Sequence, residues 1–189
     1  TSFPAKVELV PGAADAKDQK SRVCKVTLDA AAPVGIGGLV VGSPAGVSDI
    51  ALVMIDDLPS VADNGANHAI DKAQVLTVPT AIDGIADGTN FDFYKFAGKK
   101  DQHISLEVVA TRIGTSLDSV VRLLGPDGSE LMLADDDESI GADSRLSLTL
   151  PADGDYVVEL HDNQYRGGGR YRMRIGDFPL VSVPYPLGG

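Results

Sequence analysis

Tryptophan is absent from this chain of 189 residues, and aromatic residues make up only 5% of it. Carbohydrate-binding surfaces commonly use Trp or Tyr platforms, so that function loses ground at the outset. Cysteine occurs once, as Cys24 between Val23 and Lys25 in an alternating apolar run. One thiol forms no internal disulfide, and its setting reads as a buried or half-buried strand position, which leaves the redox compartment open. Lys and Arg number 16 against 27 acidic residues, for a formal net charge of −11. Nucleic acid is therefore excluded as a partner, since phosphate binding needs clustered cations. An acidic balance suits a solvated secreted surface or one that captures hard cations. No run of about 18 apolar residues exists, so membrane insertion by a helix is not expected.

Catalytic signatures are missing as well. His68, His103 and His161 are scattered, without His-x-x-x-His spacing. His161-Asp162 does not make a dyad, because adjacent strand residues point to opposite faces. No Gly-x-Ser-x-Gly elbow occurs. Gly35-Ile36-Gly37-Gly38 is not followed by a helix, so it is not a dinucleotide loop. Cys24 has no base near it in sequence. The chain is expected not to be an enzyme; the remaining alternative is a hydrolase in which folding joins His103 or His161 to a nucleophile.

What remains is a series of short, alternating, β-branched runs broken by Pro and Gly. Early runs lie at 6–10, 22–28, 38–41 and 49–55, with turns at Pro11-Gly12, Ala30-Ala31-Ala32-Pro33 and Ser43-Pro44-Ala45-Gly46. Later runs lie at 75–78, 81–85, 92–97, 104–110, 119–124, 130–134, 145–150, 156–161 and 170–175. Pro126-Asp127-Gly128 marks a hairpin, because Gly supplies the positive φ such turns need. The spacing predicts an all-β protein with no helix of ten residues. Residues 1–59 read as an immunoglobulin-like or incomplete β unit, 60–80 as a linker leading into the second domain, 81–179 as an antiparallel, jelly-roll-like β-sandwich, and 180–189 as the start of a further linker. The chain reads as part of a longer protein.

The second domain carries a family resemblance. Asn90-Phe91-Asp92-Phe93-Tyr94-Lys95-Phe96 opens it, and Ser116-Leu117-Asp118 precedes the apolar strand 120–124. Gly125-Pro126-Asp127-Gly128, then Asp135-Asp136-Asp137, then Leu150-Pro151-Ala152-Asp153-Gly154-Asp155-Tyr156 follow in order. In that order and spacing, residues 67–175 resemble the bacterial pre-peptidase C-terminal (PPC) domain, over about 110 of the 189 residues. The preceding segment resembles, more loosely, the tail of an immunoglobulin-like unit from large bacterial surface proteins. The resemblance implies an extracytoplasmic, non-catalytic accessory module: a spacer, or a domain that docks onto protein or polysaccharide. Its expected partners are neighbouring domains of the parent protein and an extracellular polymer. Some relatives bind calcium, and some collagenase relatives bind collagen, so a calcium-stabilised adhesion module is the alternative.

Calcium takes about six to eight oxygen ligands, several of them carboxylates. The resemblance places a first candidate Ca2+ set at Asp63, Asn67, Asn90 and Asp92. Here Gly65 stands where the family has Glu, Asn90 where it has Asp, and His68 where Asn or Asp is usual, so charge is removed. A second set is Asp135, Asp136 and Asp137, adjacent acids that repel unless solvated, paired or metal-bound. Arg170, Arg172 and Arg174 alternate along the last strand and are expected to meet acidic side chains, with Tyr171, Met173 and Ile175 facing the core. Tyr156 is expected to pack inward and hydrogen-bond across a corner. Gly167-Gly168-Gly169, between Tyr165 and Tyr171, reads as a hairpin connection.

Overall fold

The computed structural model describes residues 1–10, 23–44 and 46–180. The predicted turn at Pro11-Gly12, position 45, and the expected linker from residue 181 onward lie outside them. The chain divides into two compact units, Thr1–Asp57 and Leu58–Gly189.

In the first unit, β1 (Ala5–Leu9) pairs with β2 (Cys24–Leu28), β3 (Gly35–Leu39) with β6 (Ala51–Ile55), and β4 (Gly42–Ser43) with β5 (Gly46–Val47), all antiparallel. Each pair is a separate two-stranded sheet. Ala5, Val7, Leu9, Cys24, Val26 and Leu28 share one face of the first hairpin, and Lys6, Glu8, Lys25 and Thr27 the other. The apolar face is nonetheless largely exposed, with Leu9 at 66%. The only large hydrophobics buried in this unit, among the described residues, are Phe3 and Ile55. Gly37 permits that contact, because a Cβ there would lie 2.3 Å from the Phe3 ring. Among the described residues of this unit no sheet has more than two strands. Beside the Phe3 contact, Ser2 donates its backbone N–H to the Gly38 carbonyl at 2.9 Å, and its hydroxyl accepts from the Gly38 N–H at 2.7 Å.

The second unit is a β-sandwich. One sheet runs β13 (Glu130–Ala134), β12 (Ser119–Leu124), β15 (Gly154–Asp162), β10 (Asp92–Gly98), β8 (Gln74–Leu76). The other runs β14 (Arg145–Thr149), β11 (His103–Val109), β16 (Arg170–Gly176), β9 (Thr80–Ile85), β7 (Ser60–Ala62). Alternation fills the space between them. Asp92, Tyr94 and Phe96 of β10 point inward, as do Tyr156, Val158 and Leu160 of β15 and Tyr171, Met173 and Ile175 of β16. Tyr156 donates to the Ala152 carbonyl at 2.7 Å, the expected corner. The helical turns among the described residues are two three-residue 3-10 turns, Ile70–Lys72 and Thr111–Ile113.

The expected linker at 60–80 is instead part of this sandwich. β7 lies parallel to β9 and β8 parallel to β10, so the segment crosses from one sheet edge to the other. The run expected at 75–78 overlaps β8, whereas β7, with three residues, is too short to show alternation.

Candidate functional site

Three places in the second unit gather chemistry. The first lies at the start of β10, where an inward alternation puts a carboxylate into the core. Asp92 is 2% exposed and Asn67 fully buried. The Tyr171 hydroxyl donates to Asp92 Oδ2 at 2.7 Å, the Tyr94 and Tyr171 hydroxyl oxygens lie 2.5 Å apart, and Tyr94 donates to Asp63 Oδ1 at 3.1 Å. Asp92 Oδ1 and Asn67 Oδ1 accept no hydrogen bond, and His68 Nδ1 lies 3.3 Å from that Asp92 oxygen. Burial pushes the Asp92 carboxyl up to about 6, against the Tyr171 hydrogen bond, with Asp63 adding to the rise and His68 opposing it. Burial likewise pushes both phenols well above their usual range.

This set does not fit a calcium ion. One oxygen each of Asp63 and Asp92 is engaged by a phenol and Asp92 Oδ1 faces His68 Nδ1 at 3.3 Å, which leaves far fewer free oxygens than the roughly six that a calcium ion takes. Asn90 is not part of the group: it is exposed and bonds Asp87 through its amide at 3.3 Å. His68 offers nitrogen, which a hard cation disfavours.

The second place is the acidic run after β13, which the fold divides. Asp137 binds Arg145 through both oxygens, at 2.6 and 3.0 Å, and accepts from the Ser139 backbone and hydroxyl. Those bonds, led by Arg145, hold its carboxyl down at about 2. Asp135 and Asp136 turn instead toward Asp118, and one oxygen of each lies within 4.8 Å of the others. Asp118 Oδ1 and Asp135 Oδ1 are buried without a partner. Burial, then Asp136 and Asp118, raise the Asp135 carboxyl. This triple carboxylate has the donor chemistry for a hard cation. Asp118 was not among the sequence candidates, since 17 positions separate it from Asp135 and only the β12–β13 pairing joins them.

The third place is an open groove of about 480 Å3 on the outer face of the β13-β12-β15-β10-β8 sheet. Ile70, Phe91, Phe93 and Leu124 give it apolar walls, and Arg122 and Glu159 are ion-paired in its lining at 2.5 Å. Beside it Phe91 stacks on His161 with centroids 4.3 Å apart, and Tyr165 stacks on both. Tyr165 is 49% exposed and has φ of 52°, a left-handed conformation uncommon outside Gly. Burial lowers the His161 imidazole, favouring the neutral ring in the stack.

Arg172 and Arg174 of the arginine row meet acids, though not the Asp135–Asp137 run. Arg172 pairs with Asp83 at 2.8 Å and donates to Ser60, while Arg174 pairs with Glu107 at 3.0 Å. These bonds brace neighbouring strands. Fully buried Asp143 accepts from the Ala110 and Thr111 backbone and from Arg112 at 2.6 Å.

One catalytic-looking arrangement emerges only from the fold. His103 sits 2.8 Å from Ser147 Oγ through Nε2 and 2.8 Å from Asp177 through Nδ1. The residues lie on an open strand face, with His103 43% and Asp177 75% exposed. Ser147 is within the β11–β14 ladder. Water-exposed groups on an open strand face lack the desolvation that makes an oxyanion site effective in acyl transfer.

The profile of the bacterial pre-peptidase C-terminal domain matches residues 90–162. A probable subtilase-type serine protease of Deinococcus radiodurans is 43% identical over 70 residues, 36% of this chain and 9% of the relative. The chain thus spans a small part of that protein's length. Among solved structures, the pre-peptidase C-terminal domain of a Bacillus anthracis collagenase has a TM-score of 0.45 and 14% identity, covering 64% of this chain and 99% of that one. The periplasmic g-type lysozyme inhibitor PliG of Aeromonas hydrophila gives 0.41 and 15%, covering 62% and 95%. Residues 90–162, which carry the inward Asp92 and the acidic cluster, are thus the part of the chain that matches the bacterial pre-peptidase C-terminal domain family.

Proposed function

We propose that the chain is a non-catalytic, extracytoplasmic accessory module that docks its parent protein onto extended polypeptide. The observation that carries this reading is the groove: apolar walls from Ile70, Phe91, Phe93 and Leu124 around the Arg122–Glu159 pair. Such a lining takes apolar side chains while offering both a donor and an acceptor to a peptide backbone. The protease relative supports a protein substrate for the parent. No helix among the described residues is long and apolar enough to cross a membrane.

Binding of the whole chain to immobilised unfolded casein, against insoluble cellulose, tests the reading. Phe93→Ala and Ile70→Ala should each weaken casein binding about tenfold, the size expected for an anchor residue, with the melting temperature little changed. Retention on cellulose alone, or casein binding indifferent to both variants, contradicts it.

A second reading, a calcium-stabilised module, is favoured by one observation, the unpartnered oxygens of Asp118 and Asp135 beside Asp136. In that reading these three carboxylates hold the ion.

A further inference from the structure

Asparagine occurs four times in the chain, at Asn64, Asn67, Asn90 and Asn163, and Asn64 alone is followed by glycine. Asn64, Gly65 and Ala66 are exposed and lie between β7 and the Ile70–Lys72 turn, outside any strand. Gly65 has φ of 62°, in the left-handed region, and the space a Cβ would occupy there is open. Nothing therefore crowds its backbone nitrogen on that side.

The fold holds this nitrogen and the Asn64 amide in place. Tyr94 donates to Asp63 Oδ1 at 3.1 Å, and Asp63 Oδ2 accepts from the Gly65 N–H at 3.3 Å. The Asn64 N–H donates to Gln74 Oε1 at 2.8 Å, and Gln74 Nε2 donates to the Ala62 carbonyl at 2.9 Å. Asn64 Oδ1 accepts from the Ala66 N–H at 2.8 Å. That bond polarises the side-chain carbonyl. It also stands where negative charge develops when a nucleophile adds to Cγ, as an oxyanion donor does. The nucleophile next to Cγ is the Gly65 nitrogen, because joining the two closes an unstrained succinimide ring.

We infer that Asn64-Gly65 is a site of spontaneous self-modification, at which the folded chain converts Asn64 to aspartate and isoaspartate. The Gly65 nitrogen bonds to Asn64 Cγ and gives its proton to water. The Cγ–Nδ2 bond breaks, and Nδ2 takes a proton from water and leaves as ammonia. Water then opens the ring. Opening at Cγ gives aspartate. Opening at the Asn64 backbone carbonyl gives isoaspartate, whose main chain runs through the former side chain and is one carbon longer. Nothing is oxidised or reduced, and water is the only co-reactant.

The segment that carries the change crosses from one sheet edge to the other. Either product adds a negative charge next to Asp63, in a chain whose formal net charge is already −11. Isoaspartate also shifts Gly65 and Ala66 away from their partners on Asp63 and residue 64. The other asparagines are unlike this one. Asn67 is fully buried, and His68, Phe91 and Gln164 put a side chain beside each of the other attacking nitrogens. Asp127-Gly128 shares the exposed glycine with positive φ, but a carboxylate is a poor electrophile.

The test is incubation of the full chain at neutral pH and physiological temperature for several weeks, with tryptic peptides read by mass spectrometry. The peptide ending at Lys72 carries both Asn64 and Asn67, and its fragment ions tell them apart. We expect most of Asn64 to be converted, isoaspartate to outweigh aspartate, and Asn67, Asn90 and Asn163 to keep their amides. Asn64→Gln should abolish the conversion, because the longer side chain closes a larger ring slowly. Gly65→Ala should slow it severalfold, since a Cβ then crowds the nitrogen. The same chain unfolded in guanidinium is the reference. An Asn64 amide that persists in the folded chain while the unfolded chain converts would overturn the inference. So would aspartate without isoaspartate, which means direct hydrolysis by water, or an ammonia release that Asn64→Gln leaves unchanged.

Discussion

The two units are made of the same kind of strand and differ in what lies opposite it. β1 and β2 alternate as cleanly as β10 and β15, with six apolar or small side chains on one hairpin face. In the second unit each such face meets another sheet, and Tyr94, Tyr156, Leu160 and Met173 are fully buried. In the first, Val7, Leu9 and Leu28 remain 44%, 66% and 44% exposed. Period-two alternation is sufficient to make a hairpin but not a core. Burial of a Val or Leu side chain contributes about 1.5–3 kcal/mol, and it needs a second layer about 10 Å away. Two five-stranded sheets supply that layer for each other, whereas three separate strand pairs do not.

The largest way to break this contrast is to cut the same volume from both units. Leu160→Ala should destabilise the sandwich by about 2–5 kcal/mol, while Leu9→Ala should change stability by less than about 1 kcal/mol, both read by urea unfolding followed with circular dichroism. Asp143→Ala should come close to the first, at about 3–5 kcal/mol, because it strips a buried carboxylate from Arg112 and two backbone amides. Arg172→Ala should cost about 1–2 kcal/mol, since its partner Asp83 is 57% exposed and screened by water. That loss should shrink in high salt; no loss at all would mean the arginine row does not brace β16 against β9.

Smaller effects sharpen the picture at the acidic run. Asp137 is held at about 2 by Arg145, so its stabilisation is present above the ordinary carboxylate pKa and is lost as pH falls toward 2. Asp137→Asn should remove that acid-range slope and leave the profile above pH 5 unchanged. If the triple carboxylate holds calcium, excess calcium should raise the melting temperature over chelator, by the amount that about 2.7 kcal/mol gives at a hundredfold excess over Kd. Asp118→Asn should abolish that rise and Asp92→Asn should keep it. The smallest effect belongs to His103: His103→Ala should leave stability almost unchanged, and a serine-reactive phosphonate should not label Ser147.

Much of the sandwich was legible because its signals are local. The Pro126-Asp127-Gly128 turn and the inward face of β16 follow from turn chemistry and alternation. β3 was displaced, read at 38–41 but formed at Gly35–Leu39, because its three glycines carry no alternation. β7 escaped because a parallel edge strand of three residues has no sequence period, whereas β8 was read, shifted, at 75–78 and forms at Gln74–Leu76. The site was less legible, for the same physical reason each time. Asp118 with Asp135, Ser147 with His103, and Asp63 with Tyr94, Tyr171 and Asp92 are brought together by pairing register across dozens of residues. The groove is assembled from the Ile70 turn, β10, β12 and β15, so no single stretch announces it.

Hydrogen–deuterium exchange of the whole chain, with and without an unfolded polypeptide ligand, tests the account most directly. It predicts slow exchange in β10, β11, β15 and β16, fast exchange in β1 to β6, and ligand-induced protection confined to the groove around residues 68–70, 89–93, 122–124 and 159. Equal protection of both units, or ligand protection on β1 to β6 with none at the groove, would contradict it.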